Sequence, residues 1–129
     1  MVDLLVKAGD DTARLDIHEV AAYLLERLGR TSIAYLAGSR SRAMPARWAA
    51  PPGDSGHAEP SDDKARRLKA AHAIFRSIED AENDQVARSW LLSANPRLDG
   101  ATPVELIRQD DYPAVYRAAK AFISDTYHS

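Results

Sequence analysis

Residues 53–57 read Gly-Asp-Ser-Gly-His, which puts a hydroxyl, a carboxylate and an imidazole in one short stretch. A serine-protease nucleophile has similar surroundings. That chemistry also needs a base aligned on the hydroxyl and an oxyanion hole, both held by a rigid scaffold. Here the stretch lies between Pro51-Pro52 and Pro60, in a segment that reads as a loop of a helical chain. The match is therefore read as chance. The other histidines are His18, His72 and His128, and no pair of the four stands at a metal-ligand spacing. His72 reads as a core-edge residue and His18 as part of a helix's first turn. Glu79, Asp80, Glu82 and Asp84 read as a solvated acidic turn that starts a helix, not as paired catalytic carboxylates. No cysteine is present, which excludes disulfides, thiolate metal ligands and cysteine nucleophiles. No glycine loop suited to a phosphate is visible, so neither a cofactor nor catalysis is expected.

The weight therefore falls on binding. The 129 residues suit one compact domain or two very small ones, near the size where oligomerisation adds stability. Hydrophobic residues make up 45% and charged residues 28%, an ordinary globular balance. A net charge of −2 gives no general attraction to nucleic acid or to an anionic membrane. DNA binding would need a local basic patch. The N-terminal apolar run is too short for a signal peptide, and no stretch is long enough to span a bilayer. A cytoplasmic location fits these features and the missing cysteines.

The elements that would present a binding surface are helices. Apolar spacing is helical nearly everywhere, and strand-like alternation is absent, so the expected fold class is all-α. Residues 1–15 read as a flexible leader. Asp16 and Glu19 form a capping box for a helix whose face carries Ile17, Val20, Ala21, Leu24, Leu25 and Leu28, with Gly29 as its stop. Thr31 starts a short helix that Gly38 ends, and a third segment spans 41–49. Residues 51–60 read as the loop between two halves. Ser61 reads as the N-cap of a helix to about residue 79, with Leu68, Ala71, His72, Phe75 and Ile78 on its buried stripe. A further helix, 83–92, carries Val86, Trp90 and Leu91, with Trp90 read as core. Asn95-Pro96 breaks the pattern. Thr102, Pro103 and Glu105 then give the strongest helix start in the chain, and Leu106 reads as core. The last helix sets Tyr112, Val115, Tyr116, Ala119, Phe122 and Ile123 on one side, with a tail from Thr126.

Residues 16–50 read as a helix-turn-helix-like region, with Thr31–Ala37, a turn at Gly38 and Ser41–Ala49. Arg40, Arg42 and Arg47 are its candidate DNA-contacting residues. Arg47-Trp48 closes the presumed recognition helix as in Xre-type repressors. Pro45 inside that helix is expected to kink it.

The stretch Ala87-Arg88-Ser89-Trp90-Leu91, Asn95-Pro96-Arg97-Leu98-Asp99-Gly100, Thr102-Pro103-Val104-Glu105-Leu106-Ile107 resembles the toxin-binding domain of the antitoxin Xre/MbcA/ParS family. The resemblance covers residues 61–129 well and residues 16–50 as a degenerate helix-turn-helix. It departs where the family's last helix commonly ends in glycine, because Ser124-Asp125 stands there. It implies a helix-turn-helix-like front half and a C-terminal toxin-binding domain, 61–129. The implied partner is a RES-domain toxin, a class of protein that consumes NAD or ADP-ribosylates a target. The implied action is neutralisation by occlusion of the toxin's active site, within a homodimer or larger toxin–antitoxin assembly. The residues it nominates for toxin contact are Tyr116, Lys120, Ile123, Asp125, Tyr127, His128 and Ser129. Operator DNA is a possible second partner. The alternative function is a helix-turn-helix transcriptional regulator without a toxin partner.

Overall fold

The computed structural model describes residues 3–128, with side chains described through Asp125. All regular structure in this range is helical: α1 (Leu4–Ala13), α2 (Ile17–Ala37), α3 (Met44–Ala49), α4 (Asp62–Ala81), α5 (Asp84–Leu92), a 3₁₀ turn (Pro96–Leu98), α6 (Pro103–Arg108) and α7 (Tyr112–His128).

Residues 1–15, expected to be a flexible leader, instead form helix α1 over Leu4–Ala13. Asp3 caps α1 by accepting from the backbone N–H groups of Leu5 and Val6. Helix α1 packs on α4 and buries Ala8 and Thr12. A helix this short is marginal alone, so its packing on α4 stabilises it. Gly9-Asp10-Asp11 hid the pattern in the sequence.

The Asp16–Glu19 capping box forms in both directions. Gly29 interrupts the helix as expected, with two helical stretches of α2 meeting at a sharp kink there. Its φ of 81° and ψ of 160° belong to a region essentially limited to glycine, and α2 resumes through Ala37. Ser61 takes the N-cap position of α4, although its side chain makes no capping bond. Thr102 does cap α6, accepting from the Glu105 N–H at 3.2 Å.

Helix α4 is the central element. From Ala70 to Ile78 only Arg76 escapes full burial, because α1, α2, α5, α6 and α7 all pack on this helix. A helix covered on all sides loses the one-faced stripe that the sequence suggested. One continuous core includes Leu24, Ile33, Leu36 and Trp48 from the front half and Phe75, Ile78, Leu91, Ile107 and Val115 from the back half. Two arginines reinforce the junction. Arg67 donates to the carbonyl of Ala37 at 2.9 Å, and Arg108 donates to that of Tyr35 at 2.6 Å. Both place positive charge at the carbonyl end of α2, where the helix dipole favours it.

Candidate functional site

The nominated toxin-contact residues from Tyr116 to His128 lie on α7, whose place is fixed by the turn before it. Asn95 is buried, and its side-chain oxygen accepts from the Arg97 N–H at 2.9 Å. Its backbone carbonyl takes the N–H groups of Leu98 and Gly100. This closed turn and the short α6 return the chain so that α7 packs on α4 and on the 3₁₀ turn. Val115, Ala119 and Ile123 then enter the core.

The nominated residues divide between faces. Ile123 is only 9% exposed and serves the core, so it is corrected from a contact residue to a packing residue. Tyr116 is half-buried and Lys120 exposed, and both look toward α1. Burial raises the Tyr116 pKa above the usual tyrosine value. Asp125 is exposed on a different side, where it accepts from Arg97 at 3.1 Å. The side chains of Tyr127 and His128, and all of Ser129, lie outside the described residues.

Beside Asp125, sequence reasoning missed a groove of about 410 Å³ between α5, the 3₁₀ turn and α7. Trp90 and Phe122 form its aromatic floor, with ring centroids 6.2 Å apart. Trp90 is therefore only half-buried, not the sealed core residue expected. The Arg97–Asp125 pair spans its rim. A groove with an aromatic floor and a charged rim can seat an apolar side chain and orient its polar neighbours. Trp90 in the Trp90-Leu91 pair was the available signal, but only α7 supplies Phe122 to the opposite wall.

A second missed cluster sits where α2 meets α4. Tyr23 donates its hydroxyl to Glu79, which also pairs with Arg27 at 3.4 Å and Arg76 at 3.1 Å. The Arg27 guanidinium lies 3.5 Å from the centre of the Tyr23 ring. Burial first, then the bond to Glu79, pushes the Tyr23 pKa up to about 12. Glu79 is thus a structural anchor and leaves the solvated acidic turn expected of it. Its partners are distant in sequence, so spacing gave no sign of it.

Residues 16–50, expected to be helix-turn-helix-like, fold as α2, a turn and the short α3. Pro45 sits in the first turn of α3, where its missing N–H costs nothing, so the expected kink does not arise. Trp48 is wholly buried, and Arg47 donates to the Gly56 carbonyl at 3.3 Å. Arg40 and Arg42 are exposed in the turn before α3. Six residues form α3, and only Ala46 and Arg47 among them are fully exposed. In the loop that follows, His57 bonds Ala50 and Glu59, each at 2.7 Å, and makes no bond to Ser55.

Among the described residues no cluster of three or more His, Asp or Glu could hold a metal ion, and no helix is long and apolar enough to cross a membrane. Comparison with protein-family models, curated proteins and solved structures found no match to this chain.

Proposed function

We propose that this protein is the antitoxin of a toxin–antitoxin pair and neutralises a RES-domain toxin by stoichiometric binding, without turnover. One observation supports this most. Helix α7 continues past Ile123 to His128, and Ser124 and Asp125, which follow Ile123, are exposed and so within reach of a partner. The Trp90–Phe122 groove adjoins that end and supplies an apolar seat beside it.

A toxin that binds NAD must present cations or amide donors to a pyrophosphate. The Asp125 carboxylate can take those donors through charge-assisted hydrogen bonds. Tyr127 can fill the space of a flat ring. The bound end then denies NAD its site.

The test is co-expression with the RES-domain protein expected in the neighbouring reading frame. Full-length protein should restore growth and stop NAD loss in a purified mixture. Deletion of residues 126–129 should weaken both effects. No complex, with NAD degraded at full speed, would end the proposal.

A further inference from the structure

Helices α1 and α7 both pack on α4 and leave a furrow between them. It consists of two contiguous hollows of about 410 Å³ and 360 Å³ that share Gly9, Ala73 and Tyr116. Tyr112 and Tyr116 form one wall, and Leu5 and Val6 form the other. Val6 is 60% exposed, one of two large apolar side chains left so open among the described residues. The rim carries Arg66, Lys69, Arg117 and Lys120, and no carboxylate lines either hollow. Arg66 is held by Asp63 at 2.6 Å, so Lys69, Arg117 and Lys120 carry the positive field. Those three make no ion pair among the described residues.

This arrangement stands out in a chain of net charge −2. An apolar trough bordered by cations is the complement of a helix with an apolar stripe and acidic flanks. The furrow runs along α1, ten residues long, which corresponds to about 15 Å, or three helical turns of an occupant. We infer that the α1–α4–α7 furrow is a docking site for an acidic amphipathic helix of a partner protein. The concave shape and tyrosine wall favour a helix over a membrane surface, which would need a convex apolar face. The furrow takes in Tyr116 and Lys120, which the family resemblance also nominates for toxin contact, but not Asp125, on which the proposed occlusion rests, so a peptide-binding test of the furrow can fail or succeed independently of toxin neutralisation.

Gly9 gives a clean means of blocking the site. A Cβ placed there meets no atom within 4 Å, and Gly9 lines both hollows, so a substitution at this position starts from open space beside the furrow. The probe is a stapled peptide of about four helical turns, with leucine on one face and glutamate on the flanks. Its binding to the full chain is followed by fluorescence anisotropy. A scrambled peptide of equal charge and a lysine-for-glutamate version serve as controls.

The amphipathic acidic peptide should bind at least about tenfold tighter than either control. Gly9→Phe and the triple variant Lys69→Glu, Arg117→Glu, Lys120→Glu should each abolish that preference, with helicity by circular dichroism unchanged. If Gly9→Phe fails to fold, the surface triple variant decides alone. Equal binding of amphipathic and scrambled peptides would reduce the furrow to a diffuse charge and overturn the inference. Binding to phosphatidylglycerol vesicles, with none to the peptide, would overturn it in favour of a lipid surface.

Discussion

Thr12 Oγ1 lies 2.6 Å from His72 Nδ1, so a hydroxyl on α1 meets an imidazole on α4 in the interior. Thr12 also donates to the Ala8 carbonyl at 2.9 Å. Its single hydroxyl proton is thereby used, and His72 Nδ1–H is the donor to Thr12. Nε2 is then the bare ring nitrogen, buried without a partner. Tyr23 packs edge-on to the ring at 4.8 Å. Burial, and then the charges of Arg76 and Arg27, lower the His72 pKa to about 4.

The sign of the pH effect follows. Between about 6.5, the unfolded value, and about 4, the unfolded chain takes up a proton that folded His72 refuses. Stability from this group is complete above the unfolded value and falls as the pH drops toward the folded one. The loss by pH 5 is on the order of 2 kcal/mol. His72→Leu should flatten the difference in urea stability between pH 7 and pH 5. Thr12→Val should cost about 1–3 kcal/mol at pH 7, because it strands Nδ1–H. An unchanged pH slope in His72→Leu would refute this account.

His57 should titrate in the opposite sense. Only its imidazolium donates from both nitrogens, to the Ala50 carbonyl and to Glu59. The bond to Glu59 raises its pKa above the ordinary histidine value, against a smaller opposing effect of burial. Its folded pKa is above the unfolded one, so its contribution is full below about 6.5 and fades as pH rises through the folded value. An NMR titration should show Glu59→Gln moving the His57 midpoint down. Amide exchange in residues 51–60, corrected for its intrinsic rate, should gain less protection at pH 8 than at pH 6. A midpoint insensitive to Glu59→Gln would show that the Glu59 bond does not set the His57 pKa.

These relationships mark where the sequence could be read and where it could not. The Asp16–Glu19 box, Thr102 with Pro103, and the loop at 51–60 are local signals, and each stands where the residues placed it. Helix α1 was illegible because its reason for existing is α4, which lies far away in sequence. The same holds for Tyr23 with Glu79 and for Trp90 with Phe122, whose meeting depends on topology. The last helix was legible as a helix. Its division into a core-facing Ile123, an Asp125 side and a Lys120 side needed the positions of α1 and of the 3₁₀ turn.

The junction between the halves rests on Arg67, and Gly38 lies directly against it. Arg67 grips both oxygens of Asp110, at 3.0 and 3.1 Å, while also donating to Ala37. This pair holds the Asp110 pKa below the usual carboxylate value, with help from the Tyr112 hydroxyl. Gly38 has a φ of 84°, and a Cβ there would stand 2.6 Å from the Arg67 guanidinium. Gly38→Ala should cost about 1–3 kcal/mol, part from the left-handed backbone and part from displacing Arg67. In an Arg67→Ala background the cost should shrink by at least about 0.5 kcal/mol. Strict additivity in urea denaturation would show that the two do not act together.

The Arg97–Asp125 pair offers a way to separate the groove from the end of α7. Both side chains are more than half exposed, at 54% and 71%, so breaking the pair should leave stability within about 1 kcal/mol. Its value lies in what the two charges do at the rim of the Trp90–Phe122 groove. Asp125→Lys should weaken toxin neutralisation, because it sets a cation where the toxin's own donors are proposed to sit. Arg97→Asp alone should weaken it less, since the Asp125 carboxylate survives. The double exchange Arg97→Asp, Asp125→Lys restores the pair with reversed polarity. Rescue by that exchange would mean the pair acts only by shaping the rim. Continued loss would mean that Asp125 itself meets the partner, which is the outcome expected from co-expression growth and NAD measurements.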